Sequence, residues 1–165
     1  MTRRILFFCI LIGSLGNCVN RNIRVQTPEN ISKYKQALSF IVNEKEASKN
    51  FRVSQELINF KTLSFYFKET LEEHNFKRED FLFDSKIIAS NQPALKELST
   101  NENSENHLFF SEEHNGMFYL EIFLKTKKNH MKYSERPHFG KSCAYLFLIK
   151  GDNVELLEKK ELIYG

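Results

Sequence analysis

Apolar positions change their spacing along this chain, and the changes divide it. Ile5 to Leu15 is an apolar run interrupted only by Gly13 and Ser14. As a helix it would reach about 16 Å, roughly half the hydrocarbon core of a bilayer. No later window holds eighteen uninterrupted apolar residues, so no membrane span is expected. Ile31, Tyr34, Leu38, Ile41 and Val42 then recur at helical spacing. Thr27-Pro28-Glu29 precedes them as cap, first-turn proline and dipole-complementing acid, and the helix is expected to end between residues 43 and 47. Leu57, Phe60, Leu63, Phe67 and Leu71 suggest a second helix over 54–74, although Phe51, Val53, Leu63, Phe65 and Phe67 also alternate like strands. A short strand over 81–89, a helical turn or two over 93–98 and a polar, mobile loop over 99–107 follow.

Beyond residue 107 the period becomes two. Segments 108–111 and 117–124 flank an Asn115-Gly116 turn, with Phe118, Leu120, Ile122 and Leu124 sharing a face. Segment 143–149 is a third strand, Gly151-Asp152-Asn153 turns the chain, and 154–164 returns as a fourth. Helices first and an antiparallel meander second predict an α+β domain, with N-terminal helices packed on one face of a C-terminal sheet. In outline this order resembles NTF2-like or cystatin-like arrangements. Such a resemblance implies a layered fold and no particular activity.

The amino-terminal run has a second property. Arg3 and Arg4 precede it, and Gly16, Asn17 and Cys18 follow it, which is the layout of a secretory signal peptide. Leu15-Gly16-Asn17-Cys18 resembles the lipobox of bacterial lipoproteins, in the relaxed form found in spirochaetes or Bacteroidetes, with Asn17 where the strict pattern has Gly, Ala or Ser. The resemblance implies cleavage before Cys18 and acylation of its thiol, including a palmitate-type chain. It divides the chain into a signal peptide (1–17), a lipid-attached tether (18–26) and a single α+β domain (27–165). A plain signal peptide with a coincidental cysteine is the competing reading. In that case a Cys18–Cys143 disulfide becomes possible. Cys143 itself lies in an apolar stretch and reads as a small buried hydrophobe.

Charge changes the picture little. The chain of 165 residues carries 24 Lys and Arg against 21 Asp and Glu, a balance of +3. Arg3 and Arg4 leave with the signal peptide, so 22 remain against 21, a balance of +1. Nucleic acid is not expected as a partner of an exported chain. The charge is concentrated instead. Residues 125–142 hold six basic residues, Lys125, Lys127, Lys128, Lys132, Arg136 and Lys141, against Glu135 alone. These six are candidates for binding an anionic ligand, head group or protein partner, or else they keep a hairpin connection solvated. Glu97, Glu102, Glu105, Glu112 and Glu113 form an acidic counterpart upstream that is placed to face them.

Candidate chemistry is sparse. His107 and His114, beside Glu112 and Glu113, have generic metal-ligand spacing, and no C-x-x-C pair is present, so no metal or cofactor is expected. His138, Ser142 and Cys143 lie within six residues and would suit a nucleophile with its base. No G-x-S-x-G, H-E-x-x-H, P-loop or G-x-G-x-x-G pattern accompanies them. Sixteen Phe and six Tyr at periodic positions read as core. The expected function is a non-catalytic cell-envelope lipoprotein, anchored to a membrane and binding a ligand or partner through its loops. The competing expectations are a secreted or periplasmic hydrolase of unrecognised type, and an NTF2-like pocket for a small ligand.

Overall fold

The Asn115-Gly116 pair makes the turn its sequence predicts. Both residues take positive φ, 50° and 76°, the requirement of a two-residue hairpin turn. His114 and Met117 exchange backbone hydrogen bonds across it at 2.8 and 3.0 Å. In this computed structural model, residues 29–42, 50–82, 84–126, 131–137 and 140–165 are described. Their elements are α1 (Glu29–Val42), β1 (Arg52–Val53), β2 (Glu56–Ile58), α2 (Lys61–Ser64), α3 (Lys68–Glu73), β3 (Ile88–Asn91), β4 (His107–Phe110), β5 (Met117–Phe123), β6 (Gly140–Lys150) and β7 (Asn153–Tyr164). None of the described helices is long and apolar enough to cross a membrane.

Strands β4 to β7 form the antiparallel meander, and the sheet order is β1-β4-β5-β6-β7. β1 joins its edge parallel to β4. β2 and β3 pair separately. The class is therefore α+β. Every residue of β5 is buried, which requires cover on both faces of the sheet. One face carries Phe118, Leu120, Ile122, Phe110 and Phe147 against Tyr34, Ala37, Leu38 and Ile41 of α1. The other carries Phe109, Tyr119, Phe123 and Leu146 against Phe60, Leu63, Phe67 and Leu71. The helices thus divide between two faces, which corrects the expectation of one covered face. Leu124 lies past the end of β5 and is exposed.

α1 is fixed over the β6–β7 turn by Gln36. Its Nε2 donates to the Asp152 carbonyl at 2.9 Å, and its Oε1 accepts from the Val154 amide at 3.1 Å. The expected helix over 54–74 is broken instead. Residues 56–58 are strand, and helix begins only at Lys61, whose amide donates to Asn59 Oδ1 at 2.9 Å. Asn59 competes for the backbone locally and so starts the helix late. Leu63, Phe67 and Leu71 keep their four-residue steps through α2, a 3-10 turn at Phe65–Phe67, and α3. The expected strand over 81–89 is displaced to 88–91. Pro93–Leu98 is helical, in 3-10 form.

The loop 99–107 is held rather than loose. Ser99 Oγ accepts from the Val53 amide and Thr100 Oγ1 from the Phe51 amide, each at 2.9 Å. Ser104 is buried and donates to the Asn50 carbonyl. These bonds replace part of the ladder that a two-residue strand lacks. At the opposite edge, β7 carries a bulge near Leu157 and the run Glu158-Lys159-Lys160-Glu161. Bulges and charges blunt an open edge against pairing with other chains.

Candidate functional site

β5 carries one acidic residue among six apolar ones, and the sheet buries it completely. Glu121 lies on the same face as Tyr119 and Phe123, directly opposite Ala144 of β6. A charged carboxylate in such a place is costly unless hydrogen bonds reach it. Three hydroxyls do so. Tyr133 donates to Oε2 at 2.7 Å, while Ser142 and Tyr164 both donate to Oε1. Ser142 and Tyr164 reach it because β6 and β7 continue the alternation of that face. Tyr133 arrives from the 3-10 turn Tyr133–Glu135, above the sheet.

Arg136 closes the cluster. Its guanidinium carbon lies 4.8 Å from the Tyr133 ring centre and 5.7 Å from that of Tyr164, cation–π distances for a partly desolvated arginine. Burial pushes the Glu121 carboxyl above its ordinary range, and the three hydroxyls and the Arg136 charge pull it back only in part. Burial, then the Glu121 charge, raises the Tyr133 and Tyr164 phenols. They stay protonated as donors across ordinary pH. Chemically, the cluster fastens residues 131–137 and the end of β7 to the middle of the sheet. Sequence reasoning missed it, although its signal was present as a lone carboxylate within the apolar run 117–124.

The candidate basic residues are dispersed by this arrangement. Lys127 and Lys128 lie outside the described residues, as do Cys18 and His138. Lys125 turns the chain after β5 with φ 52°, and its amide donates to Asn106 Oδ1. Arg136 is stacked on tyrosines. Lys141 is a strand residue paired with Glu161 at 2.6 Å. Of the four that are described, Lys132 lines a groove discussed below and Lys125 lines a smaller one. Two of the acidic residues share a groove with a basic one, Glu102 with Lys132 and Glu105 with Lys125, but the ion pairs run elsewhere. Glu102 reaches Arg52, and Glu113 pairs with Lys33. Backbone contact between the two segments does occur, from the Thr126 amide to the Glu105 carbonyl at 3.0 Å.

The other clusters come apart for one geometric reason, strand alternation. Ser142 points to the face of Glu121, while its neighbour Cys143 packs half-buried on the α1 face. They cannot serve one reaction centre. His107 begins β4 and stands opposite Phe123, whereas His114 lies beyond the far end of that strand. His114 Nε2 instead meets Asp80 Oδ1 at 2.8 Å. The Asp80 carboxyl is held below its usual range, chiefly by the Lys77 amide and further by His114. Among the described residues no group of three or more His, Cys, Asp or Glu side chains is placed to hold a metal.

A second feature is a groove of about 560 Å³ between the β1–β2 connection, the Lys96 turn and residues 131–135. Comparison with protein-family models, curated proteins and solved structures found no match to this chain.

Proposed function

We propose that this chain is a cell-envelope lipoprotein, exported through its amino-terminal signal and held to a membrane by acylated Cys18. Its folded domain binds a ligand or protein partner and performs no catalysis. The observation that carries this reading is the order Arg3-Arg4, apolar 5–15, then Leu15-Gly16-Asn17-Cys18. Two acyl chains anchor stably, because each buried methylene contributes about 0.8 kcal/mol. Ten residues separate Cys18 from Glu29, the first described helical residue. That length spans at most about 35 Å, so the domain stays close to the lipid surface. One long helix laid across an antiparallel sheet supports a cystatin-like outline over an NTF2-like one. The aromatic filling of both sheet faces favours recognition at loops and grooves over a deep internal pocket.

Metabolic labelling with a palmitate analogue tests the anchor. Wild-type chain expressed in a diderm bacterium is labelled and sediments with membranes. Cys18→Ala loses the label and leaves the membrane fraction. Unchanged labelling and sedimentation of the variant would overturn the reading.

A further inference from the structure

We propose that residues 131–137 form a pH-sensitive strap, closed over Glu121 while this carboxyl is protonated and lifted from the sheet once it is ionised. The device does not depend on the membrane anchor.

Glu121 itself cannot leave its place. Its strand β5 is hydrogen-bonded to β4 on one side and to β6 on the other. Two of its three donors are equally fixed, because Ser142 and Tyr164 belong to the long paired strands β6 and β7. Tyr133 is the donor that comes from outside the sheet. Among the described residues Glu121 has no ion-pair partner, and Arg136 lies over the Tyr133 and Tyr164 rings. An ionised carboxylate held by neutral hydroxyls and shut away from water remains costly. Lifting the Tyr133 segment admits water to it and leaves the sheet intact.

The strap is held lightly enough to move before the sheet does. Of residues 131–137 only Met131 and Tyr133 are buried. The Glu135 amide donates to the Lys132 carbonyl at 2.9 Å and the Arg136 amide to the Tyr133 carbonyl at 3.2 Å, so these bonds close within the segment. One amide reaches out of it, from Tyr133 to Glu56 at 3.3 Å. Segments with few buried contacts open at lower free energy than core strands. Met131, Lys132 and Glu135 also form one wall of the groove of about 560 Å³, so lifting the strap removes that wall.

Burial holds the Glu121 carboxyl above its ordinary range. The strap is therefore closed at lower pH and lifts as pH rises through the raised value. The strap faces Glu121 with Tyr133 and Arg136, and β7 with Tyr164 and, further along its row, Lys160, which pairs with Glu158 at 2.9 Å. Tyr66 adds its phenol beside Tyr164. From β4 comes buried His107, opposite Phe123 on the same face. Histidine as a residue type titrates in the same range, so the test must separate it from Glu121.

Amide hydrogen exchange of the nitrogen-15 labelled full-length chain, corrected for intrinsic rates, is followed between about pH 5 and pH 8. Carbon-13 labelling reports the Glu121 carboxyl in parallel. Protection of the Glu135 and Arg136 amides is expected to fall about tenfold as that carboxyl titrates, because a single 3-10 turn does not persist without its support. Protection of Leu120 and Leu146 in the sheet stays constant. Glu121→Gln keeps the strap closed and removes the step. Tyr133→Phe leaves the carboxylate in place, lowers protection already at pH 5, and so also removes the step. Constant protection in the wild type, or a fall shared by Leu120 and Leu146, overturns the proposal. So does a step that survives Glu121→Gln, which would belong to His107. If Glu121→Gln does not fold, a step of full size in Tyr133→Phe overturns it instead.

Discussion

The two faces of the sheet are covered to the same degree by different means. On the α1 face, Phe118 stacks on Phe147 with ring centres 5.3 Å apart, meets Tyr34 edge-on at 5.2 Å, and neighbours Phe110 at 6.2 Å. Tyr34 hydrogen-bonds the Ser111 carbonyl at 3.2 Å, and burial raises its phenol well above its ordinary value. No ionised side chain is required there. The opposite face buries Tyr119 between Phe60 and Phe67 at one end, and Glu121 with its hydroxyls at the other. The apolar face depends chiefly on shape and area. The polar end of its counterpart depends also on protonation and on the presence of every donor.

The largest expected effect comes from the apolar face. Phe118→Ala removes a fully buried ring from a four-ring cluster and should destabilise by about 3–5 kcal/mol, independently of pH. Urea unfolding at two pH values measures both claims. A loss under about 1 kcal/mol would mean that this face repacks easily, and the contrast between faces would fail.

Glu121 supplies the next effect. Glu121→Ala leaves three buried hydroxyls without their acceptor and should cost about 2–4 kcal/mol. Glu121→Gln keeps an acceptor and should cost less. The pH dependence has a definite sign. The folded-state pKa of Glu121 is raised above the unfolded one, so the folded protein holds this proton more tightly. The resulting stabilisation is complete below the ordinary carboxylate range and is lost as pH rises through the raised folded value. Asp80 acts oppositely, because its folded pKa is lowered. Its contribution is present above the unfolded value and lost as pH falls through the folded one. Subtracting the Glu121→Gln profile from the wild-type profile, between about pH 4 and pH 8, isolates Glu121. A flat difference would mean that Glu121 titrates alike in the folded and unfolded states, its burial fully compensated by its donors.

Legibility in the sequence followed the same division. Elements defined by local chemistry were readable: the periodic face of α1, the Asn115-Gly116 turn and the four meander strands each carry their signal within a few residues. Segment 54–74 was misread because its four-residue hydrophobic steps are real but begin only after Asn59. Residues 56–58 pair with a strand some thirty positions later, and no local pattern encodes that. Proximity along the chain also misled. Ser142 and Cys143 are neighbours in sequence and lie on opposite faces in space. The Glu121 cluster draws on residues 121, 133, 136, 142 and 164. Only its centre, an acid in an apolar strand, left a trace; strand register assigns Ser142 and Tyr164, and the 3-10 turn over the sheet brings Tyr133. The basic run 125–142 was legible as a charge pattern but not as a surface, because tertiary contacts give Arg136 and Lys141 separate partners.

Two tyrosines on the same face test that contrast most finely. Tyr133 and Tyr119 are both buried, and both have raised phenol pKa values caused first by burial. Their hydroxyls differ. Tyr133 donates to Glu121, whereas the Tyr119 hydroxyl has no hydrogen-bond partner among the described residues. Tyr133→Phe removes one of three donors from a buried carboxylate and should destabilise by about 1–2 kcal/mol. It should also raise the Glu121 pKa further, extending the fall in stability to higher pH. Tyr119→Phe keeps the ring between Phe60 and Phe67 and removes only an unpaired dipole. Its effect should be near zero, or stabilising by up to about 1 kcal/mol. Thermal unfolding of the two variants side by side reads the difference directly. Equal losses would place a hydrogen-bonded water on Tyr119 and make that end of the face polar as well. A stable Tyr119→Phe beside a weakened Tyr133→Phe confines the polar dependence to Glu121, because a buried hydroxyl stabilises only where an acceptor waits for it.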